Sequence, residues 1–487
     1  MNYIPLLPEL ILIVLAVSIV ILGLFLKQDK KRALAYITIA GLAISLILTL
    51  AYSGAREEYN GPPLYGAIVV DSAGQFFNAL FLIVAILVCL ASLNYYGRSP
   101  HQDEYYALLL FATSGMMIVA ISNDLLTLFV GFELATLSTY ALAGFNRKDK
   151  RSIEAAMKYF IIGALASALM LFGMSFIYGM TGSTNLSVIS STLVNSPAAI
   201  LGMVFLIGGF GFKMALVPFH MWAPDTYEGA PPVVTAFLAS ASKKMGFIAA
   251  FKVFFISLAV LKLEWYLPFA IIAVLTMTLG NVVAISQKSV KRMLAYSSIA
   301  HAGYIAIVFV IVSRSASAAE FAIAGGLLHA LSHAIATAGA FIAVAAVGHY
   351  VLSRNKNADD VDSIDNYNGL GKTAPVTAFL MTILLLSLAG IPPTFGFYSK
   401  FVLFLSAVRG ELLWLAAVGV LNSALSVYYY ARVIMRMYWE SPEGGRNSEP
   451  SGYVLAMALA VILIAILGIY PEPIYKWAIS AAGALLP

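Results

Sequence analysis

Three lysines stand where apolar sequence would be expected to continue: Lys213 in FLIGGFGFKMALVPF (205–219), and the adjacent Lys243 and Lys244 in VVTAFLASASKKMGF (233–247). An ionised lysine at the centre of a membrane helix costs about 2.5–3.5 kcal/mol even on lenient insertion scales, so all three ammoniums must face protein or water. Two kinds of chemistry answer that demand: a structural ion pair, or a path for protons or ions. Other titratable groups favour the path. Glu133 is the only acidic residue in the middle of its apolar run, and His301, His329 and His333 interrupt two further runs. Imidazole titrates near neutrality and suits a proton relay, although a lone buried histidine is more often a satisfied core group. His220 follows Lys213 by seven residues, which on an intact helix puts both on one face about 10 Å apart, close to one or two bridging waters.

The elements that must hold these groups are membrane helices. The chain has 487 residues, 61% of them hydrophobic and only 11% charged, with a mean hydropathy of +0.88. Such a composition excludes a soluble domain. The run at 9–26 is followed by KQDKKR, with no basic segment before it and no small-residue cleavage pattern after it, and reads as a retained helix. Further runs of about twenty apolar residues begin near Ala33, Gly74, Tyr105, Asp124, Ile153, Ala198, Val233, Glu264, Met293, Ala319, Pro375, Leu412 and Gly452, which makes about fourteen spans. Sixteen lysines and arginines fall in the loops after odd-numbered spans. The opposite side holds five: Arg56, Lys262, Arg314, Arg409 and Lys476. The positive-inside rule therefore places both termini outside. Lys252 and Lys262 read as snorkelling residues at the outer end of span 8.

Gly208, Gly209 and Gly211 ahead of Lys213, with Pro218 beyond it, predict that span 7 is broken and that unwound backbone lies inside the membrane. FGFKMALVPF (210–219) resembles FGFYSKFVLF (395–404) in span 12, and both follow Gly/Pro-interrupted sequence. The expected fold is an all-α polytopic membrane protein with two inverted five-helix repeats, spans 4–8 and 9–13, and paired broken helices as in ion-coupled transporters. The corresponding divisions are 1–104 (three N-terminal helices), 105–260 and 261–440 (the repeats) and 441–487 (the last helix).

The net charge of +5 is dispersed among short loops, so it gives no nucleic-acid surface. The lone Cys89 excludes a disulfide framework and an iron–sulfur site made by this chain alone. No G-x-G-x-x-G motif follows a strand, and no C-x-x-C or metal-ligand pattern is present. Redox cofactors are expected in partner subunits only.

Five stretches carry a family resemblance: NDLLTLFVGFE (123–133), AAMKYFIIGALASALMLFG (155–173), VPFHMWAPDTYEGAPP (217–232), KRMLAYSSIAHAGY (291–304) and LLSLAGIPPTFGFYSKF (385–401). Together they resemble the antiporter-like N subunit of respiratory complex I and its archaeal and chloroplast relatives. The L type continues into a long lateral helix, for which this sequence, ending at Pro487, leaves no residues. In one respect the sequence departs from the L and M types: span 11 offers His329 and His333 in HALSHA where those types have a lysine.

The resemblance implies proton translocation along a polar axis at the membrane midplane. The family's glutamate–lysine pair maps onto Glu133 and Lys213. Unit charges about 4 Å apart at an effective dielectric of about 20 interact by about 4 kcal/mol, roughly three pKa units, so moving Glu133 could switch Lys213 between holding and releasing a proton. Lys243 matches the central lysine after the serine-rich ASAS, and is preferred to Lys244, although adjacent helical residues point about 100° apart. Lys158 would tune the pair and Lys400 would be the terminal lysine passing the proton outward. Implied partners are K- and M-type membrane subunits, lipids and, indirectly, the quinone pool, with flavin or another donor site and iron–sulfur clusters elsewhere in the assembly. NADH, ferredoxin or a deazaflavin would be the donor, and an inner or thylakoid membrane the location. Two other readings remain open: a cation/proton antiporter without redox partners, and a cytochrome-b-like haem carrier, which would leave the lysines unexplained.

Overall fold

The computed structural model describes residues 4–54, 57–58, 64, 66–97, 99–355, 360–442 and 445–486. Arg56 and Pro487 lie outside them. Among the described residues, twenty α-helices run in chain order: α1 (Leu7–Phe25), α2 (Arg32–Ala51), α3 (Ser72–Tyr95), α4 (Gln102–Ile121), α5 (Leu125–Ala143), α6 (Lys150–Thr181), α7 (Leu186–Thr192), α8 (Pro197–Met214), α9 (Trp222–Gly229) and α10 (Pro232–Phe237). The chain continues with α11 (Lys243–Phe251), α12 (Lys262–Ser286), α13 (Val290–Arg314), α14 (Ala316–Arg354), α15 (Leu370–Thr373), α16 (Pro375–Ala389), α17 (Phe395–Arg409), α18 (Leu413–Trp439), α19 (Ser451–Ile469) and α20 (Glu472–Gly483). A two-residue antiparallel ribbon pairs Glu57 with Val70 and Glu58 with Val69. Among the described residues, thirteen segments are long and apolar enough to cross a membrane, and the shorter Pro375–Ala389 together with α17 falls where the remaining span is expected. The boundary expected at 104/105 cuts the first turn of α4.

Two segments are buried along their whole apolar length, Pro232–Ser257 and α14. They form the axis around which the others pack. The sequence of α14 explains its place: with small residues at most inward positions, neighbouring backbones approach closely. A Cβ on Gly326 would meet Val308 Cγ2 at 2.5 Å, and one on Gly325 would meet Leu403 Cα at 3.0 Å. In contrast, α1, α2 and α6 turn Val14, Phe25, Ile47, Ile161 and Leu165 outward, as helices facing lipid do.

Both expected helix breaks are present, but the glycines do not make the first one. α8 runs unbroken through Gly208, Gly209 and Gly211 to Met214. Those glycines serve packing instead: a Cβ on Gly209 would meet Met170 Cβ at 2.6 Å, and one on Gly211 would meet the Phe219 ring at 2.7 Å. The break begins at Ala215, left-handed at φ 55°, where the Leu216 amide turns back to the Gly211 carbonyl at 2.9 Å. The Val217 amide donates to Thr276 Oγ1 at 3.0 Å, giving the unwound backbone the partner that an apolar interior demands. The second break repeats this construction. Gly390, at φ 85°, ends α16, and the Ile391 amide returns to the Leu386 carbonyl at 3.0 Å. Aligning the breaks pairs Ala215 with Gly390, so the match of FGFKMALVPF with FGFYSKFVLF is out of register. Phe210–Phe212 precedes one break, whereas Phe395–Phe397 follows the other.

Candidate functional site

Lys213 occupies the last turn of α8 and is fully buried. Its ammonium donates to Thr136 Oγ1 at 2.9 Å and Tyr159 OH at 3.1 Å, and lies 5.5 Å from the Phe132 ring centroid and 5.6 Å from that of Tyr159. Trp222 stacks on Tyr159 at 4.5 Å and donates Nε1–H to the Phe212 carbonyl at 2.8 Å, so one indole holds both the wall of the lysine box and the end of α8. Glu133 is half-buried one helical turn before Thr136 and accepts from Ser167 Oγ at 2.6 Å.

The π-helical turn Leu238–Ser242 immediately precedes the next two lysines. Lys243 donates to Ser298 Oγ on α13 and sits 5.5 Å from the Tyr227 ring centroid. Lys244 reaches the other way, to His333 Nδ1 at 2.6 Å and the Ala239 carbonyl at 3.2 Å. His333 Nε2 lies 3.2 Å from Thr337 Oγ1. A second chain begins at Ser399, whose hydroxyl is 3.1 Å from His329 Nδ1; His329 Nε2 is 3.0 Å from His301 Nδ1, and His301 Nε2 is 3.4 Å from Tyr430 OH, itself hydrogen-bonded to Ser297. The chains approach at His301 and His333, with ring centroids 4.5 Å apart and no hydrogen bond between them. Lys400, beside Ser399 on α17, donates to the Leu388 and Ala389 carbonyls at 2.9 and 3.1 Å and to Ser423 Oγ at 2.9 Å. Its ammonium thus satisfies two of the carbonyls that the end of α16 leaves open.

This arrangement is a set of titratable groups, all buried except the half-buried Glu133, bonded to hydroxyls, carbonyls and imidazoles in separate clusters among the membrane helices. Residues 122–426 match the family model described as NADH:quinone oxidoreductase/Mrp antiporter, TM. F(420)H(2) dehydrogenase subunit N of Methanosarcina mazei is 48% identical, covering 99% of this chain and 98% of its own. NADH-quinone oxidoreductase subunit N of Moorella thermoacetica is 42% identical over 97% of each chain. The chain belongs to this subunit N family. A solved chain in respiratory complex I from Thermus thermophilus superposes on the N-type subunit with a TM-score of 0.81 at 30% identity, covering 96% of this chain and 98% of its own. A chain of the membrane-bound sulfane sulfur reductase, an archaeal respiratory complex, superposes with a TM-score of 0.87 at 26% identity, covering 100% and 98%. The N-type subunit also shares its fold with a chain of the Mrp complex from Dietzia, at a TM-score of 0.88 and 19% identity.

Three expectations about the N-type site are corrected by the geometry. Glu133 and Lys213 form no ion pair, because each is held by hydroxyls of α5 and α6. Lys158 turns away from them, pairing with Glu154 at 2.8 Å and with Asp225 at 2.9 Å; Arg292 joins the same Asp225 from α13. Lys252 is buried and donates to the Ser122 carbonyl at 3.0 Å instead of snorkelling, whereas Lys262 is exposed. Lys243, preferred from sequence, donates to Ser298, and Lys244 beside it contacts His333. His220 is buried but makes no hydrogen bond to Lys213, and its Nδ1 has no partner among the described residues. Tyr159 and Thr136 went unnoticed in the sequence; Tyr159 stands immediately after Lys158, the only signal available.

Tyr159→Phe removes one of two oxygen acceptors from a buried ammonium, an interaction of about 1.5–3 kcal/mol, so a loss of about tenfold or more is expected in pumping rate. Lys158→Gln breaks only partly exposed pairs and is expected to stay within about twofold. Proton uptake by the reconstituted complex measures both. The reverse order would return Lys158 to the pathway.

Proposed function

We propose that this chain carries protons across the membrane through Glu133, Lys213, Lys243, Lys244, His333, His301, His329 and Lys400, driven by quinone reduction in partner subunits. The observation that carries this reading is the Lys244–His333 contact at 2.6 Å, which joins the buried lysines of the first half to the imidazoles of the second. His220 and Lys158 flank the path without a direct contact to it. The chain contributes no redox centre of its own; flavin or another donor site and iron–sulfur clusters belong to its partners, and K- and M-type subunits are its neighbours.

The identically built breaks at Ala215 and Gly390 support two inverted units, 105–260 and 261–440, between the N-terminal helices (1–104) and the last span (441–487). The charge asymmetry of the loops supports a cytoplasmic-membrane orientation with both termini outside. The electron donor is F420H2 or NADH, according to which relatives the assembly follows.

The test is the complete complex in liposomes. Glu133→Gln is expected to lower the number of protons moved per electron pair while electron transfer continues, since the amide keeps the Ser167 hydrogen bond but not the charge. An unchanged proton ratio would remove Glu133 from the path. Sodium–proton exchange by the chain without redox partners would instead favour the antiporter reading.

A further inference from the structure

A cavity of about 620 Å³ opens on the side of the basic loops, between the start of α6, the α9–α10 turn, the end of α14 and the loop at Asp362. Its lining includes Glu228, Ala230 and Pro231, and Lys291 closes it toward the interior. Lys291, only 4% exposed, donates to the Glu228 carbonyl at 2.6 Å and the Ala230 carbonyl at 3.0 Å, and its ammonium is 3.5 Å from Asp362 Oδ2. On the segments that carry the Lys291 acceptors and Lys243, buried hydroxyls lack partners among the described residues: Tyr227 OH and Thr226 Oγ1, just before Glu228, and Ser240 Oγ, three residues before Lys243. Buried polar groups are rarely left unpaired, and hydroxyls of this kind mark places for water. The Tyr227 ring lies beside Lys243, and Ser298, which accepts from Lys243, follows Lys291 by seven residues on α13, about 10 Å along one face.

We propose that Lys291 and Asp362 act as a bolt across the intake of the path, sealing the cavity while paired and admitting water past Tyr227 to Lys243 when they part. This rests on the reading of Lys243 as a proton carrier. The pair is held at a cost: burial pushes the Asp362 carboxyl up, against the pull of Lys291 and Arg151, and the ammonium stands 3.5 Å from the carboxylate oxygen. The simpler role for Lys291 is to cap carbonyls at the end of α9, as a cation at a helix C-terminus does. Asp362→Asn separates the roles, because it leaves both carbonyl hydrogen bonds in place and removes only the charge that holds the ammonium across the floor.

The complete complex, with Cys89→Ala and Ser240→Cys in this chain, is treated with a small membrane-impermeant thiol reagent from the basic-loop side, and modification of Cys at 240 is followed by mass spectrometry. Asp362→Asn is expected to speed modification about tenfold, the equivalent of about 1.4 kcal/mol of closure. It is also expected to raise the passive proton leak of liposomes without substrate. Asp362→Glu, which keeps the charge, should restore slow modification. Should Asp362→Asn fail to assemble, Asp362→Ser takes its place in the same measurement. Adding Lys243→Gln should abolish the extra leak without slowing modification. Fast modification with no Lys243-dependent leak would keep the bolt and overturn Lys243 as the carrier. Equal modification rates with and without the Asp362 charge would overturn the bolt itself.

Discussion

Lys244→Met is expected to stop proton transfer through this chain as completely as His333→Gln, with the double variant losing no more than either alone. The two side chains form one contact, Nζ to Nδ1 at 2.6 Å, in a region where both residues are almost fully buried. A hydrogen bond to a charged group contributes about 1.5–3 kcal/mol, so losing it costs about one to two decades in rate before the missing proton carrier is counted. Residues acting as one link are strongly non-additive, and the double-mutant cycle reads that directly. Protons moved per electron pair in the reconstituted complex is the measurement, with electron transfer as the control for assembly. Full pumping by Lys244→Met alongside its loss in Lys243→Met would reduce the His333 contact to packing and route the path through Ser298.

Gly390→Val is expected to prevent stable assembly. At φ 85° a side chain costs about 1–2 kcal/mol through the clash of its Cβ, and a β-branched residue more. The new Cβ would also lie 3.0 Å from Lys400 Cδ and 3.3 Å from Nζ, dislodging the ammonium from the two carbonyls it satisfies. Gly390→Asn, tolerant of the left-handed region, should retain more stability than Val. The equivalent position in the first half already holds the strained choice: Ala215→Gly relieves a left-handed alanine and should raise the melting temperature of the complex. Thermal unfolding of the purified complex reads all three, and a melting temperature unchanged by Gly390→Val would mean that the α16 break bears no strain.

The spans were legible because each is a long apolar run, and their starts fall within about three residues of the helices. The breaks were legible as regions but not as positions. Glycine in a membrane helix signals either an ending or a close approach, and only the packing of Gly209 on Met170 decides between them. The choice between Lys243 and Lys244 was beyond sequence for a related reason. The π-helical turn at Leu238–Ser242 inserts an extra residue per turn just before them, so the direction of each ammonium is set by a feature that leaves no pattern in the residues. The Glu133–Lys213 pair failed for another cause. Each has hydroxyl partners supplied by neighbouring helices, Thr136, Tyr159 and Ser167, and no spacing along the chain announces them.

The interruption between the two imidazole chains has a consequence for timing. Whenever Lys244 carries its proton, its ammonium can only donate, so His333 must then accept at Nδ1 and hold its own proton on Nε2, the nitrogen 3.2 Å from Thr337 Oγ1. Along the proposed path, each hop inverts the donor and acceptor faces of an imidazole, and the ring must turn back before it can serve again. The 4.5 Å approach of His301 to His333 has no hydrogen bond across it, so the hop there waits on that turn. Such a junction passes charge in single, separated events and does not conduct continuously as a file of water does, which lets a membrane potential stand across it between strokes.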